Sequence, residues 1–463
     1  RTSNSNLGLQ LDYNYAGKYY ADFSMAAVHS AKLPEGNRIG LSPSFTLGWR
    51  LSEEEFMKNV KFVNELKLRL SYGVVGNQSG ISRYDGMQLY NFNSVNGAYI
   101  GDGRISYIKT SGEIATMGRS WERIHNYNLG LDFHLFDSRL QGTVELFMKK
   151  NNNMLIAVAY PGILGDKAPA SNSGKFEAKG YEGTVTWSDK IGKVNYHVGG
   201  TFTYADNKLV DYGGVTVFKS GFVDKQQGYS LNSVFGLKYC GKIQTEEQLR
   251  KYIYKYYNSN GIGMPKDLRL GDNMYEDVNG DGKLDEKDYV YLGSDDPKIS
   301  YSFNVGIEWN NFDLSAVFQG TAKRTIFRDE SNDNYRIPMR AAHLNSTTQS
   351  VGNVWSPDNR DGRYPTYTNI STINNYNYQC SSWSVENGNY LRLKSLTLGY
   401  NFPASLLSKT KAISRLRIYV SGADLWEVSK INDGWDPEAS RKVSGNGRFP
   451  FNRTCTVGLD VTF

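Results

Sequence analysis

Thirteen stretches of this 463-residue sequence alternate apolar and polar side chains with a period of two, and the last of them runs to the final residue. In TCTVGLDVTF, residues 454–463, Cys455, Val457, Leu459, Val461 and Phe463 share one face, while Thr456, Gly458, Asp460 and Thr462 share the other. Successive side chains of a strand point to opposite sides, so such a strand needs an apolar partner along its whole length. The other twelve stretches are Leu7–Tyr15, Tyr19–Ala27, Leu41–Trp49, Leu66–Tyr72, Tyr127–Leu135, Leu140–Met148, Tyr181–Trp187, Val194–Tyr204, Tyr301–Trp309, Phe312–Phe318, Tyr390–Phe402 and Leu416–Gly422. This period reads as β-strand, which makes the chain all-β.

The apolar partner is either a protein core or lipid. An ordinary core of this size draws more heavily on Leu, Ile and Val than a chain with 39% hydrophobic residues, 47 Gly and 33 Tyr. The mean hydropathy of −0.52 does not argue against a membrane, because a barrel strand needs only every second residue apolar. The connections decide between the two. Residues 16–18, 51–62, 136–139, 189–193, 310–311 and 403–413 are shorter; residues 30–39, 75–122, 151–173, 205–298, 328–389 and 423–453 form the other set. The two sets alternate along the chain, so an up-and-down sheet collects nearly all the extra chain at one end. Short periplasmic turns opposite long extracellular loops are the pattern of a transmembrane antiparallel β-barrel. Aromatic residues also gather at strand ends, where headgroups would lie.

Single-chain bacterial barrels have even strand numbers, so further strands are expected before Arg1. The sequence opens without Met and enters a strand almost at once, as an internal piece would. Counting back from the terminal strand places residues 1–6 in an extracellular loop. One stretch conflicts with the pattern: in Tyr390–Phe402, Arg392 and Lys394 share parity with Leu396, Leu398, Tyr400 and Phe402. Either a bulge changes the register there, or the wall continues above the membrane into water.

The net charge of +6 is scattered without Lys/Arg runs, which argues against a nucleic-acid partner. Cys240, Cys380 and Cys455 cannot all pair, and none lies in a CxxC. The five histidines show no catalytic spacing, and no Walker loop, dinucleotide fingerprint or nucleophile elbow is present, so no enzyme is expected.

The sharpest local motif is DVNGDGKLDEKD, residues 277–288, with the spacing of an EF-hand loop. Asp277, Asn279 and Asp281 take positions one, three and five, the Lys283 carbonyl seven, Asp285 nine and Asp288 twelve, with Gly282 at the sharp turn. A structural Ca²⁺ is the expected occupant, although Asp replaces Glu at position twelve and no helix pair flanks the loop. A polar surface turn is the alternative. TEEQLRKYIYKYYNSNG, residues 245–261, predicts a helix with Thr245 and Gln248 as a capping box, an Asn260-Gly261 stop and a Leu249, Ile253, Tyr256 stripe packing on its own loop, with contact to a partner protein as the alternative. Trp355, Tyr364, Tyr367, Trp383, Trp426 and Trp435 are loop aromatics; the first four are the expected substrate or partner contacts, with loop anchoring as the alternative.

Several segments resemble the SusC/RagA family of TonB-dependent outer-membrane transporters. They are SPSFTLGWRLSEEEFMKN, LKLRLSYGVVGNQ, the 277–288 loop followed by Leu292-Gly293, GNYLRLKSLTLGYNFP, DGWDPEAS and the terminal VGLDVTF, in the family's order and over nearly the whole chain. The resemblance implies the C-terminal part of a barrel of about 22 strands, with a plug and a TonB-contacting segment ahead of this chain. It implies import across the Gram-negative outer membrane, powered through the TonB complex, with a SusD-like surface lipoprotein as a hinged lid. Oligosaccharides or oligopeptides would be the cargo, and outer-membrane lipid would surround the wall. Val457, Leu459, Val461 and Phe463 would be the barrel-assembly signal. A passive porin and a secreted calcium-stabilised glycan-binding or adhesin protein are the alternatives.

Overall fold

The computed structural model describes residues 3–82, 84, 87–93, 99–101, 103–104, 107–110, 118–157, 169–213, 221–223, 226–256, 265, 267–327, 348–408, 412–431, 436–438 and 452–463. All thirteen alternating stretches are strands: β1 (Asn4–Tyr15), β2 (Tyr19–Ser30), β3 (Ile39–Arg50), β4 (Val63–Asn77), β5 (Glu122–Leu135), β6 (Leu140–Ala157), β7 (Ala170–Ile191), β8 (Val194–Asp211), β9 (Ile299–Trp309), β10 (Phe312–Ala322), β11 (Tyr390–Asn401), β12 (Arg415–Ser429) and β13 (Thr454–Thr462). They lie in chain order in one antiparallel sheet, with β1 and β13 at its two edges. No helix among the described residues is long and apolar enough to cross a membrane.

The strands exceed the alternating stretches. β7 has 22 residues, about twice the roughly ten that a tilted strand needs to cross the apolar band of a barrel. The wall therefore continues beyond the region where lipid would impose alternation. Two expected boundaries shift accordingly. Asn4–Asn6 belong to β1 rather than to a loop, pairing with Ser30, His29 and Val28. β7 and β8 run so close together that only residues 192–193 connect them, with Gly192 at φ 60°.

The chain divides into two compact units. In the first, Arg1–Asp189 with Gly199–Thr216 and Gln227–Tyr229, large apolar side chains of one sheet face stand in the open: Leu7, Leu9, Leu11, Phe45, Leu70 and Leu146 are all exposed. The opposite face is polar and paired. Arg69 donates to Asp132 (2.6 and 2.9 Å) and to Glu145 (2.6 Å), and Asn128 donates to Glu145 at 2.8 Å. At the long-connection end the Trp121 ring is buried with Leu33 and Ile81. A Cβ at Gly40 would come within 2.8 Å of the ring, so a larger residue there must displace it, and one at Gly76 would sit tightly at 3.1 Å.

The second unit is Lys190–Val198, Val217–Gln226 and Ser230–Phe463. Here too one face is apolar: Phe303 stacks on Phe318 at 4.3 Å, and Val420 and Ile418 of β12 pair with Val457 and Leu459 of β13. The parity conflict in β11 is resolved by a bulge. Val317 and Phe318 of β10 face Ser395 and Leu393 of β11, and these face Ala423 and Trp426 of β12. Lys394 is one extra residue on β11, Asp424 and Leu425 are two on β12, and Asp424 takes the left-handed conformation at φ 55°. Beyond the bulge Leu393 joins the apolar face beside Phe318, and Arg392 turns to the polar side.

Candidate functional site

Between β8 and β9, and between β10 and β11, the long connections fold onto each other. Leu237, Ile243, Tyr252, Tyr256, Leu268, Tyr275 and Leu284 from the first bury one apolar cluster with Tyr376 from the second. Helix α1 (Glu246–Tyr256) supplies Tyr252 and Tyr256, with Leu249 and Ile253 packed alongside. Thr245 caps it, accepting from Gln248 N at 3.2 Å. The Gln248 side chain reaches back one residue further than a capping box requires, accepting from Gln244 N at 2.8 Å. The expected stop at Asn260-Gly261 lies outside the described residues.

The cluster holds a buried polar network that periodicity could not reveal. The Tyr252 and Tyr376 hydroxyls are 2.6 Å apart, and Tyr275 N donates to Tyr252 Oη at 2.8 Å. Asn377, in helix α2 (Ser371–Asn377), accepts from Asn273 N (2.8 Å) and donates to Asp272 Oδ1 (2.8 Å). Burial pushes the Tyr252, Tyr275 and Tyr376 hydroxyls up, so they remain protonated donors. Burial also raises the Asp272 carboxyl, against the lowering pull of Asn377 and Arg269.

Residues 277–288 hook onto this cluster through Leu284, which is fully buried. Asp277 accepts from Gly280 N (2.7 Å) and Gly282 N (3.0 Å), while Asp288 accepts from Val278 N and Asp285 N (both 2.9 Å). Gly280 and Gly282 both have positive φ, as the tight turns demand. Asn279 and Asp281 close local turns onto Asp281 N and Lys283 N. Asp285 caps a short helical turn that ends at Asp288. Burial works to raise Asp277, but the Gly282 and Gly280 amides and Lys255, 3.5 Å away, outweigh it and hold the carboxyl below its usual range. Among the described residues, no three His, Cys, Asp or Glu converge as a ligand set. The Asp277, Asn279, Asp281, Asp285 and Asp288 side chains of the loop thus each accept from a backbone amide.

The four aromatic candidates separate. Trp355 and Tyr364 are buried, as the alternative of loop anchoring requires and direct contact with substrate or partner does not. Trp355 N donates to Tyr364 O (2.9 Å), and the indole donates to Gln244 Oε1 (2.9 Å), anchoring one connection on the other. Gly271 underlies Trp355 so closely that a Cβ would meet the ring at 2.2 Å. Trp383 packs edge-on against Tyr378 and Tyr364 at 5.4 and 6.2 Å. Tyr367 keeps an exposed ring, Trp426 is exposed on the apolar face of β12, and Trp435 lies outside the described residues. Cys380 is buried, its Sγ donating to Phe235 O at 3.4 Å; Cys240 and Cys455 are exposed. Val457, Leu459 and Phe463 are exposed on β13 and just beyond it.

A charge cluster sits where β11 and β12 leave the apolar zone. Arg392 is almost wholly buried and meets Glu427 Oε2 (2.7 Å), Asp436 Oδ1 (2.7 Å) and Glu438 Oε1 (3.1 Å). Lys394 meets Asp424 and Glu438 at 3.0 Å each, and Arg324 holds Asp295 at 3.0 Å and the Pro437 carbonyl. These contacts account for Asp436, Pro437 and Glu438 of the DGWDPEAS segment; its other residues lie outside those described.

Residues 2–262, more than half of the chain, match the family described as TonB dependent receptor-like, beta-barrel. The chain belongs to that TonB-dependent receptor β-barrel family. TonB-dependent receptor P3 of Formosa agariphila is 28% identical over 98% of this chain and 45% of its own length. TonB-dependent receptor SusC of Bacteroides thetaiotaomicron is 24% identical over 98% of this chain and 43% of its own length. A solved structure, of the RagAB peptide transporter, superposes with a TM-score of 0.78 at 22% identity, over 100% of this chain and 47% of that one. The chain thus spans about half the length of the relatives it matches, and the SusC/RagA resemblance and the barrel fold are both supported by them.

Proposed function

We propose that the chain is the C-terminal part of a TonB-dependent importer that carries nutrient oligomers, oligosaccharides or oligopeptides, across the outer membrane with a SusD-like lipoprotein as its lid. The observation that carries this reading is the segregation of the connections: one end of the sheet is trimmed, and the other bears a packed body with its own core. A wall that exposes Leu, Phe and Tyr on one face suits lipid, and a shaped body above it suits capture of a ligand. Membership of the receptor family supports active import over a passive pore. The first test is intact-mass and peptide analysis of the detergent-extracted particle. A plug-bearing segment, a co-purifying lipoprotein and a releasable oligomer support the importer. A 463-residue chain that is alone and soluble without detergent would overturn it.

Tyr367 is proposed as a contact of cargo or lid, and Trp383, Trp355 and Tyr364 as the anchors behind it. The alternation ending in Val457, Leu459, Val461 and Phe463 is proposed as the barrel-assembly signal. Residues 277–288 are proposed to take a structural Ca²⁺ through Asp277, Asn279, Asp281, the Lys283 carbonyl, Asp285 and Asp288. Oxygen donors of this kind suit a hard cation. Calcium against a chelator should then slow proteolysis of this loop in the purified barrel, and Asp281→Ala should remove the difference.

A further inference from the structure

We propose that the short-end connection 51–62 is a membrane-surface anchor that docks on phospholipid headgroups of the leaflet at that end. The inference rests on the outer-membrane reading above. β3 ends with Trp49 on the apolar face, paired with Tyr19, which in turn stacks on Tyr15 at 6.5 Å. The chain then makes two 3-10 turns, Leu51–Glu53 and Glu55–Met57. Between them, Glu54 accepts from Tyr19 Oη at 2.6 Å and from Trp49 Nε1 at 3.1 Å, with Lys18 Nζ 3.4 Å away. Both aromatic donors belong to the apolar face. Glu54 thus clasps the connection to the lipid side of the wall, while its neighbour Glu53 pairs at 3.7 Å with Arg50, which has the polar-face parity of Arg69, Asp132 and Glu145. The Tyr19 and Trp49 bonds hold the Glu54 carboxyl below its usual range, so the clasp stays ionised at neutral pH.

The rest of the connection fits the same surface. Phe62 stacks on Phe136 at 5.7 Å, Phe136 packs on Trp187 at 6.2 Å, and Phe136 N donates to Phe62 O at 2.7 Å. Tyr15, Tyr19, Trp49, Phe62, Phe136 and Trp187 thus mark the short end of the apolar face, continuous with Leu47 and Leu70. Aromatic rings with polar tips favour the headgroup zone. Phe56 is 64% exposed and Phe62 52% exposed, so the protein does not cover them. Beside them Lys58, paired with Glu55 at 2.5 Å, and Lys61 are exposed, and the stem of Lys61 can lie along apolar surface while its ammonium reaches a phosphate. A phospholipid surface meets both needs at once and adjoins the lipid already expected around the wall.

The test uses the full-length receptor in proteoliposomes, with Cys240→Ser and Cys455→Ser removing the exposed thiols. An environment-sensitive fluorophore is placed by Phe56→Cys, by Leu70→Cys on the apolar wall, or by Val351→Cys in an exposed loop. Nitroxide lipids and aqueous iodide serve as quenchers. The expected result is that the probe at 56 is quenched by headgroup-level nitroxide and shielded from iodide. The probe at 70 should be quenched by mid-chain nitroxide, and that at 351 by iodide alone. Glu54→Ala should raise iodide quenching at 56 severalfold and leave 70 unchanged; no change would remove the clasp from the proposal. A probe at 56 that behaves like 351, while 70 still reports lipid, overturns the anchor alone. If 70 is also open to iodide and untouched by nitroxide lipid, the membrane reading falls with it.

Discussion

Tyr13 and Tyr15 of β1 are 61% and 59% exposed, whereas Tyr275 and Tyr376 of the long connections are 1% and 3% exposed. The same residue type serves two media. On the wall, rings face outward, and the polar groups of the other face satisfy one another, as Arg69, Asp132 and Glu145 do. In the connections the rings turn inward and each hydroxyl must find a partner, because a buried polar group without one is costly. Tyr275 Oη donates to the carbonyls of Tyr376 (3.0 Å) and Asn377 (3.1 Å), and Tyr252 and Tyr376 share a proton donor between them. The wall takes its apolar partner from outside the molecule, and the loop body makes its own.

That contrast can be broken from either side. Tyr275→Ala should cost the loop body about 3–5 kcal/mol, the range for truncating a buried aromatic. Hydrogen exchange in the full-length receptor should accelerate across residues 237–243 and 268–276 and leave β1–β4 unchanged. On the wall, truncation matters less than charge. Leu70→Arg should cost about 2–4 kcal/mol if residue 70 lies near the bilayer midplane. Unfolding in lipid should show the loss, and a soluble sheet would tolerate the change. A smaller, graded effect comes from Asp272. Its folded pKa is raised, so between the ordinary carboxylate value and the raised one the folded state binds the extra proton. The Asp272 contribution to loop-body stability should therefore be fully present below the ordinary carboxylate range and be lost as pH rises through the raised value. Asp272→Asn should flatten the profile measured by exchange. The smallest effect is expected from the helix cap: Thr245→Ala should cost about 1 kcal/mol, read as fraying of α1 alone.

The legibility of the fold follows the same division. Every strand with an exposed apolar face announced itself by alternation, because a one-residue slip there would turn every apolar side chain to the wrong side. The polar half of β7, residues 170–180, gave no such signal, since no continuous apolar face sets a period there. The conflict at Arg392 and Lys394 was visible as a break in parity. Its cause, an extra residue on β11 and a left-handed Asp424, required the neighbouring strands to be seen. Helix α1 was legible from its cap and stripe, but not Tyr252, whose partner Tyr376 lies 124 residues away. Trp355 and Tyr364 looked like loop aromatics open to ligand, but Trp355 is buried against Gln244 and Gly271, and Tyr364 against Tyr378 and Trp383. The attachment of the acidic loop through Leu284 had no signal beyond one leucine among polar neighbours.

The sequence by itself determined the all-β class, the thirteen strands, their order and the end that carries the long connections. These follow from local alternation and from loop length, which need no distant partner. Tertiary structure decided how the two long connections join, which aromatics are buried, where the buried arginine finds three carboxylates, and which side of the wall Glu54 grips. Each of those depends on residues far apart in the chain arriving together, and contacts of that kind leave no period in a sequence.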